Sequence, residues 1–326
     1  MILKTCLIGV GYWGKNYVRV LSELHSYFDV KYIVDTDEKI LERFPSFSTT
    51  TDLDKALKVV DCVFIITPVK THYSLVKKCL LAGKHVYVEK PFTLEVSRAQ
   101  ELTALAKVKK LTLMIGYILL YNTGFRYLKN QLIKKKSPIY YININRTGPG
   151  IIRNDCNVIH DLTTHDVACV LQMMGSVPDK IQAVGFSSNN TKRYDMIHAT
   201  LSYKNGVIIY LHTSWIDHEK KREMMVVTQD YQIKFIDRKE KPIKILTKGK
   251  VFHDTKIEIP YVNWKEPLKT ECYHFFECIT KKIKCISGGK MGINVTYVIN
   301  RIVKSINEQK NQKATIIGQN INNKIK

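Results

Sequence analysis

Three groups of residues in this chain have the types and spacing to do chemistry. The first is Gly9-x-Gly11-x-x-Gly14, which closes a short apolar run (Ile2, Leu3, Cys6, Leu7, Ile8) and opens a helix-like pattern (Tyr17, Val18, Leu21, Leu24). Strand, glycine turn and helix in that order make a cradle for a dinucleotide. Gly9 permits the tight turn, Gly11 lets a pyrophosphate approach the backbone, and Gly14 lets the helix pack closely on the strand. The diphosphate then takes the unpaired N–H groups and the positive dipole end of the helix. Asp35 closes a second apolar strand, residues 30–34, twenty-one positions past Gly14. A carboxylate there accepts hydrogen bonds from a ribose 2′-OH and repels a 2′-phosphate. That favours NAD, while Lys31 and Lys39 close by in the sequence keep NADP open.

Lys90 is the second candidate. It ends an apolar strand at 85–88, on the edge where doubly wound sheets bind ligands, and Pro91 fixes the chain just after it. The Lys–Pro bond is a candidate for the cis form, and Glu89 can orient the ammonium. A lysine partly desolvated beside a cofactor polarises a carbonyl or shuttles a proton; an exposed lysine at a strand end is the plainer alternative. The third candidate is Asp161-x-x-x-His165, whose spacing puts both side chains on one helix face. The carboxylate would raise the basicity of His165 and fix its tautomer, so that the imidazole exchanges the proton of a substrate hydroxyl. An ordinary surface ion pair is the alternative. Cys169 shares that face, but three mixed ligands without a fourth predict no metal site.

These residues need elements to hold them. After Asp35 strand and helix patterns alternate: a helix at 53–58 capped by Thr51-Asp52, a continuous apolar strand at 61–67 ended by Pro68, and a helix at 73–81 stopped by Gly83. The strand at 85–88, a helix at 95–107 and a strand at 111–115 complete the series. Continuously apolar strands mark a parallel sheet buried on both faces, and the helices between them serve as right-handed crossovers. Residues 1–120 are therefore predicted to form a doubly wound parallel-sheet (Rossmann) domain that binds a dinucleotide.

Beyond Tyr121 the pattern changes. A helix (124–136) leads to an alternating strand (139–145), a loop with Gly148-Pro149-Gly150, and a helix over 158–174. Strands then succeed one another at 196–203, 207–213, 224–228, 232–237 and 243–246, with Asn205-Gly206 predicting a two-residue hairpin turn. Helices near 268–283 and 292–307 close the chain, and a polar tail from Gly318 is expected to fray. Residues 121–326 are predicted as an α+β domain with a large, mainly antiparallel open sheet.

Bulk properties exclude several classes. The length of 326 residues suits two domains of ordinary size, and 25% charged residues beside 45% hydrophobic ones describe a globular chain. A net charge of +22 suits a polyanion or a phosphate-bearing substrate. The lysines are spread along the chain with no basic stripe interleaved with aromatics, so no nucleic-acid partner is expected. No apolar run reaches bilayer-spanning length, and the first apolar residues are consumed by a strand rather than a secretory leader. The expected location is the cytoplasm, with no membrane partner. Eight cysteines without a Cys-x-x-Cys pair read as thiols of a reducing compartment.

Taken together, Gly9-Val10-Gly11-Tyr12-Trp13-Gly14, Thr67-Pro68-x-x-x-His72, Glu89-Lys90-Pro91, Leu120-Tyr121-Asn122 and Asp161-x-x-x-His165-Asp166 stand in an order that resembles the glucose–fructose oxidoreductase/inositol dehydrogenase/rhizopine catabolism (Gfo/Idh/MocA) family. The resemblance continues through Glu266-Pro267-Leu268 and covers nearly the whole chain. Within the family, Tyr12-Trp13, Tyr121-Asn122 and the run from Arg153 to Val158 resemble the branch acting on nucleotide-linked sugars, as 3-dehydrogenases or 3-ketoreductases of the UDP-N-acetylhexosamine type.

The resemblance implies an NAD(P)-dependent oxidoreductase that moves a hydride between a nicotinamide cofactor and a sugar ring carbon, in surface-polysaccharide or unusual-sugar biosynthesis. It implies that Gly9, Gly11, Tyr12, Trp13, Gly14 and Asp35 hold the cofactor and that Thr67, Pro68 and His72 line its groove. Glu89 and Lys90 would lie beside the nicotinamide ribose. Tyr117, Tyr121, Arg153 and Asn157 would face the sugar nucleotide, together with Lys90 and His165. Lys90 would hydrogen-bond the reacting oxygen and His165, oriented by Asp161, would relay its proton. The open sheet is implied as the surface of a homodimer or homotetramer. Tyr117 departs from the His common after Gly116 in the family, and Thr123 from Pro. Two other readings stand beside this one: a dehydrogenase of free polyols or aldoses, and a non-catalytic dinucleotide-binding sensor.

Overall fold

The computed structural model describes residues 1–149, 157–188, 193–247, 249 and 255–324, with side chains as far as residue 309. The chain divides into two compact units, Met1–Thr123 with Lys265–Thr296, and Gly124–Trp264 with Tyr297–Lys326. The division is not a single cut along the chain, because the segment after Trp264 groups with the first unit.

The first unit begins β1 (Leu3–Ile8), α1 (Gly14–Glu23), β2 (Phe28–Val34), α2 (Glu38–Leu41), β3 (Thr49–Thr50), α3 (Leu53–Leu57) and β4 (Cys62–Ile65). It continues with α4 (Val69–Leu81), β5 (His85–Glu89), α5 (Val96–Val108), β6 (Leu113–Gly116) and a 3₁₀ turn at Ile118–Tyr121. The six strands are parallel in the order β3-β2-β1-β4-β5-β6. All residues of β4 and β6 are buried, as strands covered on both faces require. The order reverses between β1 and β4, and ligands of such sheets bind beyond the carboxyl ends of the strands at that point. Gly9 stands just past β1 there, so close to the residues after β4 that an added Cβ would lie 2.7 Å from Thr67 Cγ2.

The second unit holds α6 (Thr123–Lys135), β7 (Ile139–Thr147), a π-turn at Ile159–Thr163, and α7 (Thr164–Met174). It goes on through β8 (Lys180–Phe186), β9 (Met196–Ser202), β10 (Ile208–Ser214), β11 (Lys221–Thr228), β12 (Tyr231–Ile236), β13 (Ile243–Thr247) and β14 (Lys256–Glu258). These strands form one sheet in the order β14-β13-β12-β11-β7-β10-β9-β8, antiparallel except for the β7–β10 pair. Strict alternation of burial along β12 shows one covered face and one open face. The β9–β10 connection differs from the expected two-residue turn. Tyr203 N–H donates to Val207 O and Gly206 N–H to Tyr203 O, and Gly206 takes a φ of +86°. Either two-residue mirror turn on Asn205-Gly206 needs positive φ at its first central residue; Asn205 does not adopt it, and a three-residue loop ending in a left-handed glycine forms instead.

The chain ends in α8 (Pro267–Thr280) and α9 (Gly289–Lys324). α9 runs on through the tail from Gly318, expected to fray, as far as Lys324. No helix among the described residues is long and apolar enough to cross a membrane. Phe275 of α8 completes an aromatic core, with ring centroids 5.3 Å from Phe64 and 5.8 Å from Tyr87, and Phe276 lies 5.9 Å from Phe28.

Glu271, also on α8, is fully buried against this core, and neither carboxyl oxygen has a well-formed hydrogen bond among the described residues. Burial first, and the charge of Glu89 second, push its pKa well above the ordinary carboxylate value, with the Tyr87 hydroxyl opposing. The folded state therefore keeps a proton that the unfolded chain releases above about pH 4.5. The resulting stabilisation is complete below that pH and is lost as pH rises towards the folded value. Gln in place of Glu271 removes the linkage. Melting temperatures of Glu271→Gln should exceed those of the parent, by a margin growing about 1.4 kcal/mol per pH unit through that window, or roughly 3–6 °C. Parallel melts at pH 5 and 8 check this; a constant margin would show Glu271 ionised in the fold.

Candidate active site

The glycine turn is built for an anion. α1 starts without any side-chain cap on its N-terminal N–H groups and without an acidic residue in its first turn. A Cβ added at Gly11 would meet nothing within 4 Å, so the space over the turn is open. At Gly14 an added Cβ would lie 2.2 Å from Gly9 O, which is the close strand–helix packing the motif demands. Tyr12 and Trp13 are exposed beside it. Asp35 holds the turn from the end of β2: Val10 N–H donates to Oδ2 at 2.9 Å and Asp37 N–H to Oδ1 at 3.1 Å. Each oxygen keeps a lone pair for a ribose hydroxyl. Uncapped N–H groups, open space over Gly11 and an acid at the strand end together fit a dinucleotide.

Lys90 is fixed through its backbone. The Glu89 carboxylate accepts from Lys90 N–H (2.9 Å), from Trp13 Nε1–H (2.8 Å) and from the Tyr17 hydroxyl (2.5 Å), with Tyr87 Oη 2.8 Å beyond. Glu89 thus binds the end of β5 to the glycine turn. Gly116 has to be small here, since a Cβ would lie 2.6 Å from Tyr87 Oη and 3.2 Å from Glu89 Cδ. The Lys90–Pro91 bond is cis, and Lys90 itself is half-buried. His72 is fully buried, with Nδ1 2.8 Å from Pro91 O and Nε2 2.8 Å from Thr67 O. Burial lowers its pKa, opposed by the two carbonyls, so the neutral ring donates to one of them at a time. His72 leaves no surface for a cofactor and corrects the expectation of direct contact; it ties the loop after β4 to Pro91. Thr67 is half-buried and Pro68 exposed at that loop.

In the second unit Asp161 and His165 are both half-buried, but the helix carrying them is not α-helical throughout. Asp161 belongs to the π-turn and His165 to α7. Such widened turns recur at functional sites. The next residue, Asp166, is 1% exposed and takes a bidentate pair from Arg146 of β7, with contacts of 2.7, 2.8 and 3.0 Å. A buried pair of this geometry fixes orientation more than it adds stability. Arg222 on β11 lies in the same field: burial and Arg146 hold its pKa below the ordinary value, against Asp166, Asp237 and Asp161. Neither arginine is distinguishable in sequence, because each acts across the sheet rather than within a motif.

Other expected contacts are redistributed. Tyr117 and Tyr121 are each 1% exposed and offer no surface to a sugar. The 3₁₀ turn after β6 rolls Tyr121 inward, where its hydroxyl lies 2.9 Å from Ser287 Oγ, while burial raises the pKa of Tyr117, whose hydroxyl has no partner among the described residues. Asn157 uses Oδ1 to accept from the backbone N–H (3.1 Å) and Nδ1–H (2.8 Å) of His160, a ring that burial keeps neutral with a pKa of about 4. Only the amide N–H groups of Asn157 remain for a ligand. Arg153 lies outside the described residues.

Residues 3–117 match the model of an oxidoreductase family with an NAD-binding Rossmann fold, and residues 153–233 match the GFO/IDH/MocA C-terminal domain. The chain is similar to UDP-N-acetylglucosamine 3-dehydrogenase of Acidithiobacillus ferrooxidans, at 31% identity over 240 residues that cover 70% of this chain and 72% of that protein. A solved structure of that enzyme superposes with a TM-score of 0.85 at 25% identity, covering 94% and 98% of the two chains. Scyllo-inositol 2-dehydrogenase (NADP(+)) of Bacillus subtilis is 25% identical over 64% of this chain and 62% of its own length.

Proposed function

Because the chain belongs to the Gfo/Idh/MocA oxidoreductases, whose first domain binds NAD, we propose that it moves a hydride between nicotinamide and a ring carbon of a nucleotide-linked sugar. The observation that carries this reading is the pairing of an uncapped glycine-turn helix with a lysine anchored at the carboxyl edge of the same sheet. In this reading Gly9, Gly11, Tyr12, Trp13 and Gly14 hold the diphosphate, Asp35 holds the ribose, and Thr67 and Pro68 flank the cofactor. The bound nicotinamide supplies the hydride chemistry. Lys90 hydrogen-bonds the reacting oxygen, and His165, oriented by Asp161, exchanges its proton. Glu89 and His72 are positioning residues for Lys90. Arg153 and the free amide of Asn157 contact the sugar nucleotide.

The relative at 31% identity supports a UDP-N-acetylhexosamine as the substrate type, and a net charge of +22 suits an anionic diphosphate. The open face of the sheet, where Val184 and Phe186 are exposed and His198 stacks on His212, is proposed as a homodimer or homotetramer surface. The similarity to an inositol dehydrogenase favours a second reading, oxidation of a free polyol.

Nicotinamide absorbance over a panel of UDP-, GDP- and dTDP-sugars and free polyols, with NAD and NADP in parallel, separates the readings. A UDP-N-acetylhexosamine with NAD should give a kcat/KM at least about tenfold above any free polyol, the scale of one well-placed interaction. A polyol ranking first sinks the nucleotide-sugar reading. Tight NAD binding with no turnover of any sugar would leave a sensor.

A further inference from the structure

Away from the glycine turn, α8 and the loop after it gather His274, Cys278 and Cys285, whose ligand atoms all lie within 4.8 Å of one another. We propose that these three side chains bind a thiophilic divalent cation of the zinc type. His274 and Cys278 are one helical turn apart and so share a face. The chain then turns back through residues 281–284 to present Cys285. Cys278 Sγ is 3.4 Å from His274 Nε2. Metal–sulfur and metal–nitrogen bonds of about 2.3 and 2.0 Å in a tetrahedron separate such ligands by about 3.5 Å, so this edge is already set.

The ring is also in the right state. Ile286 N–H donates to His274 Nε2 at 3.2 Å, so that nitrogen carries a lone pair rather than a proton, as a metal ligand must. A metal on Nε2 would displace the Ile286 N–H from that lone pair. Two thiolates would neutralise a divalent ion in this largely buried place. Cys278 and His274 are 5% and 9% exposed, and Cys285 is half-buried, leaving room for water as a fourth ligand. The site would hold the end of α8 to the loop whose Ser287 O accepts from Ile115 N–H beside β6.

The test uses reduced, full-length protein stripped of metal by dialysis against a chelator. Titrated with Zn2+ beside a chromophoric competing chelator, it should withhold one equivalent, and Co2+ should give thiolate-to-metal charge-transfer absorption. Cys285→Ser should weaken Zn2+ retention at least tenfold. Should that variant fold poorly, alkylation of the unsubstituted protein gives the same answer: one equivalent of Zn2+ should slow labelling of Cys278 and Cys285 at least tenfold. Zn2+ left entirely to the competitor, no Co2+ charge-transfer band, or unchanged labelling overturns the proposal. So does a Cys278–Cys285 disulfide whose reduction restores no metal uptake.

Discussion

Replacing Lys90 with alanine should lower kcat roughly a hundred- to ten-thousand-fold, the range for loss of a positioned proton donor or acceptor, while NAD affinity changes little. The two quantities separate because the position of Lys90 is set by backbone groups that alanine retains. Its N–H still donates to Glu89, and Pro91 O still faces His72. The glycine turn, braced by Glu89 through Trp13 and Tyr17, is untouched. Arginine at position 90 keeps the charge but replaces a compact ammonium by a planar fork, so little activity should return. Turnover followed by nicotinamide absorbance and NAD binding followed by fluorescence titration check both halves. If affinity and turnover fall together, Lys90 is structural and the catalytic role is lost.

Gly14→Ala should weaken NAD binding about ten- to a hundredfold and lower the melting temperature as well. The added methyl would sit 2.2 Å from Gly9 O and 3.0 Å from Gly9 C, inside the turn itself. Relief requires α1 to move off the end of β1, and overpacking of this kind costs about 1–3 kcal/mol. Gly11→Ala is the informative contrast. Its Cβ meets no protein atom within 4 Å, so the apo protein should melt as the parent does. Any loss of NAD affinity in Gly11→Ala then reports the pyrophosphate lying over the turn. Equal stability losses in both variants, or unimpaired NAD binding in Gly11→Ala, would falsify the assignment of this turn as the diphosphate cradle.

Local signals in the sequence carried the first sheet well, because each depends on a few contiguous residues. Continuous apolar runs such as 62–65, short and closed by Pro68, point to a parallel strand with both faces covered, and the glycine spacing marks the turn and helix after β1. Lys90-Pro91 was legible for the same reason. Motif letters do not say which way a side chain turns. His72 and Tyr121 stand at the expected positions, yet one clamps two loops and the other fills the interior beneath α8. The Arg146–Asp166 pair joins a strand to a helix across 20 positions, and no periodicity marks it. The π-turn carrying Asp161 leaves no compositional trace, so its residues carry the same sequence pattern as an α-helix. β8 carries no clear strand signal, since its exposed Val184 and Phe186 blur the alternation of a half-covered strand.

The return of Lys265–Thr296 to the first unit has a practical consequence for dissecting the molecule. A fragment ending near residue 123 would carry every strand of the parallel sheet but not Phe275 and Phe276, leaving Phe28, Phe64 and Tyr87 uncovered and prone to aggregate. Anyone wishing to express the nucleotide-holding half alone must splice the α8 segment back on, by circular permutation or as a co-expressed peptide.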